Sequence, residues 1–348
     1  MRIVRRGAPA LLLLLAGSLG GPGPALPAAQ TAEQERLPAR TDKLLIVLSP
    51  KDATAKVFLA IADRLDLLRT IPTGKGPQDV CIAPDGNTAY VANGLDDSIT
   101  VIDLEHLKAA GTLAPAHLKS PTSVAITPDG KKLYVGARGS NLLLVLSPAG
   151  QVLKEIALTD PATVATAPAA PRAYVASNST QSVLVVDTVT DEIVATIKTG
   201  RQPKGIAFTL DGKTVVITRV AHDEMHLVDA ATNEVKATIG AGRSLQSAAV
   251  LPDGRLAFTV TRDVRDGGVY SNVSVVDLRG ASPRKVKDIP IGTMAYKVLV
   301  SRDGAYLYVT STCTTSPLDN VTVVDLLTME IVRYAQGGNG AAGMALRN

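Results

Sequence analysis

The stretch SPTSVAITPDGKKLYVGARGSNLLLVLSPAG, residues 120–150, decides how the whole chain is read. It holds three short apolar runs: Val124-Ala125-Ile126, Leu133-Tyr134-Val135 and residues 142–146. The first two are separated by Pro128-Asp129-Gly130, the last two by polar residues 138–141. β-branched and aromatic residues at alternating spacing predict strands. Asp-Gly after Pro predicts a tight turn, because glycine accepts a positive φ. The unit is therefore a meander of antiparallel strands.

The chain repeats this unit. Aligned on the turn aspartate, the copies fall at Asp85, Asp129, Ala169, Asp211, Asp253 and Asp303, with intervals of 44, 40, 42, 42 and 50 residues. A second landmark follows five residues on, at Tyr90, Tyr134, Tyr174, Val216, Phe258 and Tyr308. A third is a strand ending in aspartate, at Asp103, Asp187, Asp229, Asp277 and Asp325. This is the repeat length of a four-stranded propeller blade. Residues 43–72 read as three strands lacking the first of a unit, and the missing strand is at the other end. GNGAAGMAL, residues 338–346, aligns without a gap on GKGPQDVCI, residues 74–82. The expected fold is therefore all-β: a seven-bladed β-propeller of four-stranded antiparallel blades, closed by pairing of the C-terminal strand with the N-terminal strands. Closure removes the open edges that a sheet otherwise exposes.

PDG followed by YVAN at residues 90–93, a VID-type strand and an ending such as IVATIKTG at residues 193–200 resemble the YVTN-repeat β-propellers, over nearly all of residues 43–348. The resemblance implies the propeller. One fold hosts many activities, so function must be argued from particular residues.

Three expected segments follow. Residues 1–29 carry Arg2, Arg5 and Arg6 ahead of an apolar run and a Gly/Pro-rich stretch ending in Ala28-Ala29. They read as an export signal peptide, and imply a periplasmic or secreted protein. The apolar run is too short to span a bilayer. Residues 30–42 are polar and aperiodic, a flexible linker, and residues 43–348 form the propeller. Without the leader's three arginines the 36 basic residues fall to 33 against 32 acidic ones, a net charge of +1. Overall charge is therefore no argument for nucleic acid, and any electrostatic reading depends on where the charges sit. Trp is absent and aromatics make up 3% of the chain, so the core must be aliphatic. Cys81 lies in a first strand and Cys313 in a loop after a second strand, in different registers. Cys81 is expected to be a buried small hydrophobe, with no disulfide.

In an a-b-c-d meander the a-b and c-d turns share one face of the ring, and the b-c loops and d-a links share the other. Sorted in this way, the turn acids gather on the first face. The second holds Lys75, Lys204 and Arg243 on links and Arg138, Arg219, Arg262 and Arg265 on b-c loops. Arg138, Arg219 and Arg262 stand in nearly matched register in three blades. They are expected to converge at the channel mouth, where planar guanidinium groups suit carboxylates or phosphates. Residues 262–272 read as a long b-c loop, and His222 stands in another. His222 and His226 invite a metal reading, but i,i+4 ligands need a helix; on an extended chain that spacing opens to roughly 13 Å. No metal or cofactor is expected.

The first functional reading is a monomeric binding or scaffold propeller without enzymatic activity, whose basic face takes an anionic small molecule, a polymer or an acidic protein. The second is a propeller enzyme such as a lactonase-like hydrolase. The third is a cofactor-free subunit of a periplasmic dehydrogenase, since quinone-bearing propellers lean on tryptophan docking motifs that this chain lacks.

Overall fold

The computed structural model describes residues 43–265, 268–312 and 320–347, with Arg265 by its backbone alone. These residues belong to one compact unit, Thr41–Asn348. They form seven sheets, each of four antiparallel strands. Blades 1 to 6 are consecutive meanders over residues 77–113, 121–157, 161–198, 203–240, 247–292 and 295–335. The closing blade joins Leu44–Ser49, Thr54–Ile61 and Arg64–Pro72 to the C-terminal strand Met344–Arg347, which becomes its innermost strand. Each innermost strand packs on those of the neighbouring blades, so the seven sheets form a ring. Among the described residues no helix is long and apolar enough to cross a membrane.

The burial pattern explains the composition. The middle strands of a blade face neighbouring blades on both sides, so Leu142–Leu146 is apolar throughout and Leu133–Ala137 is fully buried. The outermost strand has a rim face, and Lys108–Leu113 is almost wholly exposed. Apolar clusters run between blades: Tyr90 and Ile99 of blade 1 pack with Val124, Val135 and Leu144 of blade 2. Stacked aliphatic side chains fill these layers in place of large rings. Tyr90, Tyr134, Tyr174, Val216, Phe258 and Tyr308 all occupy one position, paired with Cys81, Ala125, Ala165, Ala207, Ala249 and Leu299 of the inner strands. The buried Tyr134 hydroxyl donates to Asp191 of blade 3, which also accepts from Lys132 Nζ at 2.7 Å. Asp191 is thus an inter-blade anchor rather than a surface acid.

The turns behave as the sequence predicts. Gly130 sits at φ 72°, and Asp129 accepts from Thr127 Oγ1 at 2.6 Å and from the Lys131 amide at 3.1 Å. Asp187 accepts from the amides of Val189 and Thr190. The strand-ending aspartates hold their own turns.

Two expectations need correction. Residues 262–272 are not a loop: the second strand of blade 5 runs on to Arg265 and the third begins at Gly268. Pairing continues through Arg262↔Ser271 and Asp263↔Tyr270, because β-branched and aromatic residues alternate beyond the blade's edge. Cys81 is half-buried rather than buried, since its strand, Pro77–Ile82, lines the channel. Its partial cover still pushes the thiol pKa up. Cys313 lies outside the described residues.

Candidate functional site

Each inner strand enters the ring from the face that carries the b-c loops and d-a links, and in five blades it enters through a β-bulge. The pairing skips Gln78 between Pro77 and Asp79, Thr122 between Pro121 and Ser123, Ala162 between Pro161 and Thr163, and Tyr296 between Ala295 and Lys297. In blade 4 it skips Lys204 and Gly205 between Pro203 and Ile206. A bulge leaves its extra residue outside the ladder and re-aims the side chain. Four of the five follow a proline, which has no amide hydrogen to give to a ladder and so suits a strand's first residue.

At the mouth two of these bulge residues meet. Lys204 Nζ of blade 4 lies 5.1 Å from the centre of the Tyr296 ring of blade 6. The Arg262 guanidinium of blade 5 lies 5.6 Å from the same centre. Arg262 is oriented by backbone carbonyls, donating Nε to Ala295 at 2.8 Å. Neither cation is paired with a carboxylate among the described residues. Burial lowers the Lys204 pKa to about 8, with help from the charges of Arg262 and then Arg138. Burial also lowers Arg262 and raises Tyr296. The arrangement is a part-covered, uncompensated positive site beside an aromatic face, suited to a carboxylate or phosphate.

The other expected residues are arranged differently. Arg138 ends its strand in a short 3-10 turn, Arg138–Ser140, and its Nε pairs with Asp160 at 2.5 Å. Its field still reaches Lys204. Arg219 does not join the mouth: it is 7% exposed, ion-paired with Glu224 and bonded to the Thr199 carbonyl at 2.7 Å. It is a packing residue, because Glu224 lies directly across the hairpin. Arg243 pairs with Asp263 at 3.4 Å. Lys75 is exposed, and its amide, not its amine, is engaged, by Asp96 at 2.6 Å. The Arg265 side chain lies outside the described residues. His222 is exposed in the loop beside Arg219 and Gly200. His226 is buried, with Nε2 on the Thr199 carbonyl at 3.3 Å and Nδ1 on Thr238 Oγ1 at 2.9 Å.

The expected split into a basic and an acidic face is therefore mostly cancelled. Lys119 pairs with Asp97 on one side, and Asp229, Asp253, Asp277 and Asp303 each pair with a basic residue on the other. Such exposed pairs contribute little each, but they neutralise the field. Lys204 and Arg262 lie together on Tyr296, with no carboxylate paired to either among the described residues. Lys204 and Arg262 are legible as cations of the expected face. Tyr296 is not, because a tyrosine opening a strand reads as core. The signal is its place in the repeat, one residue after the position held by Pro77, Pro121, Pro161 and Pro203.

A family model described as "Lactonase, 7-bladed beta-propeller" matches residues 63–199. That stretch holds the outer strand of the closing blade and blades 1 to 3, including Arg138 but not Lys204, Arg262 or Tyr296. No curated protein matches the sequence. Among solved structures, hydrazine synthase of Kuenenia stuttgartiensis is similar with a TM-score of 0.68 and 23% identity, over 77% of this chain and 88% of that one. A functionally unknown protein from Desulfotomaculum acetoxidans DSM 771 is similar with a TM-score of 0.74 and 16% identity, over 87% of this chain and 98% of that one. At these identities the likeness is one of fold.

Proposed function

We propose that this propeller is a binding module that captures a small carboxylate or phosphate at the channel mouth, on Lys204, Arg262 and Tyr296. One observation carries the reading: two cations from different blades share one aromatic ring, and no carboxylate neutralises them among the described residues. Burying positive charge without a partner is costly, and an anion relieves that cost when it binds. Arg138 adds to the field from a third blade. The test is calorimetric titration with inorganic phosphate and with citrate at low and high salt. Wild type should bind at least one of them, more weakly as salt rises, and Lys204→Met/Arg262→Met should lose the binding. Equal binding by both proteins, or none at low salt, overturns the reading.

The lactonase family match favours a second reading, a lactone hydrolase using the same mouth. Arg262 would stabilise the oxyanion formed when water attacks the carbonyl, and the neutral fraction of Lys204 would take the proton from that water. Acid release from a panel of five- and six-membered lactones, followed at constant pH, separates the two readings. Turnover abolished by Lys204→Met supports the hydrolase; no release from any lactone removes it.

A further inference from the structure

We propose that Lys204 is a nucleophilic amine and that the ligand class of the mouth is a carbonyl-bearing acid, a 2-oxo acid or an aldehyde acid, captured as an imine. This deepens the anion-site reading and rests on it. Four other lysines that border blade interfaces are ion-paired. Lys119 is held by Asp97, Lys132 by Asp191, Lys154 by Glu192 and Lys297 by Asp79. Each of these lysines has a carboxylate within ion-pair distance. Lys204 has the opposite surroundings: an aromatic ring and two guanidinium groups. A lysine that is desolvated and set beside another cation is the arrangement that makes an amine reactive at neutral pH. With a pKa of about 8, roughly one Lys204 in ten is neutral at pH 7.

The geometry supplies the second half of the ligand. Arg262 is fixed by the Ala295 carbonyl against the ring that Lys204 faces. A carboxylate held there places the adjacent carbonyl carbon towards the amine. The neutral Nζ lone pair attacks that carbon and gives a carbinolamine. Loss of water then forms the C=N bond and breaks the C–O bond, with both amine hydrogens leaving on the oxygen as water. No oxidant or reductant is consumed. The bulge frees the Lys204 side chain for this, since its residue lies outside the strand ladder.

Incubation of the full chain with glyoxylate and sodium cyanoborohydride tests the idea, because reduction traps the imine as a secondary amine that intact mass and peptide mapping detect. The expected result is a leading adduct on Lys204, with a labelling rate that rises between pH 7 and 9 as the amine deprotonates. Lys204→Arg should remove that adduct. Arg262→Met should slow labelling by glyoxylate about tenfold, the loss expected for one charge-assisted contact, and should leave labelling by the neutral aldehyde propanal unchanged or faster. Labelling spread over exposed lysines such as Lys75 in proportion to exposure overturns the proposal. If phosphate or citrate binding still depends on Lys204 and Arg262 while no Lys204 adduct forms, the imine chemistry fails alone. If no anion binds either, the reading of the mouth fails with it.

Discussion

Lys297 of blade 6 reaches past the closing blade to Asp79 of blade 1, with Nζ 2.5 Å from Oδ1. The closing blade lies between them and presents Gly343 at the equivalent place. A Cβ there would lie 2.6 Å from the Gln78 carbonyl oxygen and 3.1 Å from the Asp79 Cα. The missing side chain lets the closing strand press against blade 1 while Lys297 bridges the gap. Asp79 is completed on its other side by Ser123 Oγ of blade 2, at 2.6 Å. One carboxylate thus ties together blades 6, 1 and 2 where the ring is sealed.

Removing one end of this clasp should cost more than removing both. The side chains of Lys297 and Asp79 are only 25% and 15% exposed, so Lys297→Met leaves a largely covered carboxylate short of a partner. The expected loss is about 1–3 kcal/mol, below that of a fully buried pair because water still reaches the channel. Asp79→Leu/Lys297→Met should regain part of it. Urea titrations of the two single variants and the double variant give the coupling; additive losses would show that the pair does not act as a unit.

The closing strand should stabilise the ring as a whole. Met344–Arg347 pairs with Leu44–Val47 of the N-terminal strand, and Met344 and Leu346 pack into the cluster shared with blade 6. Deleting residues 339–348 exposes the edge of Leu44–Ser49, a strand with every residue buried. The truncated chain should melt many degrees lower and aggregate. A midpoint within a degree or two of the full chain would contradict the seal.

His226 should make the domain sensitive to mild acid. A carbonyl can only accept, so Nε2 carries the proton to Thr199 and Nδ1 accepts from Thr238; the neutral ring is fully satisfied. Burial and then the charge of Arg219 hold its pKa below the ordinary value of about 6.5, and His222 adds to the effect. The unfolded chain therefore binds the proton more readily than the folded one. The His226 contribution is complete above pH 6.5 and is lost as pH falls below it, by at most about 1.4 kcal/mol at pH 5.5. Urea midpoints at pH 7.5 and 5.5 should fall further apart for wild type than for His226→Gln. Equal shifts would remove the residue from the pH response.

Sequence alone determined the architecture, because a propeller is written in local signals repeated at fixed spacing. Asp-Gly turns, apolar strands and strand-ending aspartates recur about every 42 residues, and the match of residues 338–346 to residues 74–82 even locates the seal. Which charges act at the mouth was decided only by tertiary structure. Arg138, Arg219 and Arg262 look alike in the repeat, yet Arg138 is paired with Asp160, Arg219 is packed against Glu224, and Arg262 lies on Tyr296 with no carboxylate paired to it among the described residues. The physical reason is that a repeat fixes backbone position, whereas charge depends on partners from other blades and on burial. The Lys204–Tyr296 contact joins residues 92 positions apart, and Lys297–Asp79 joins residues 218 apart. Neither pairing leaves a mark in local spacing.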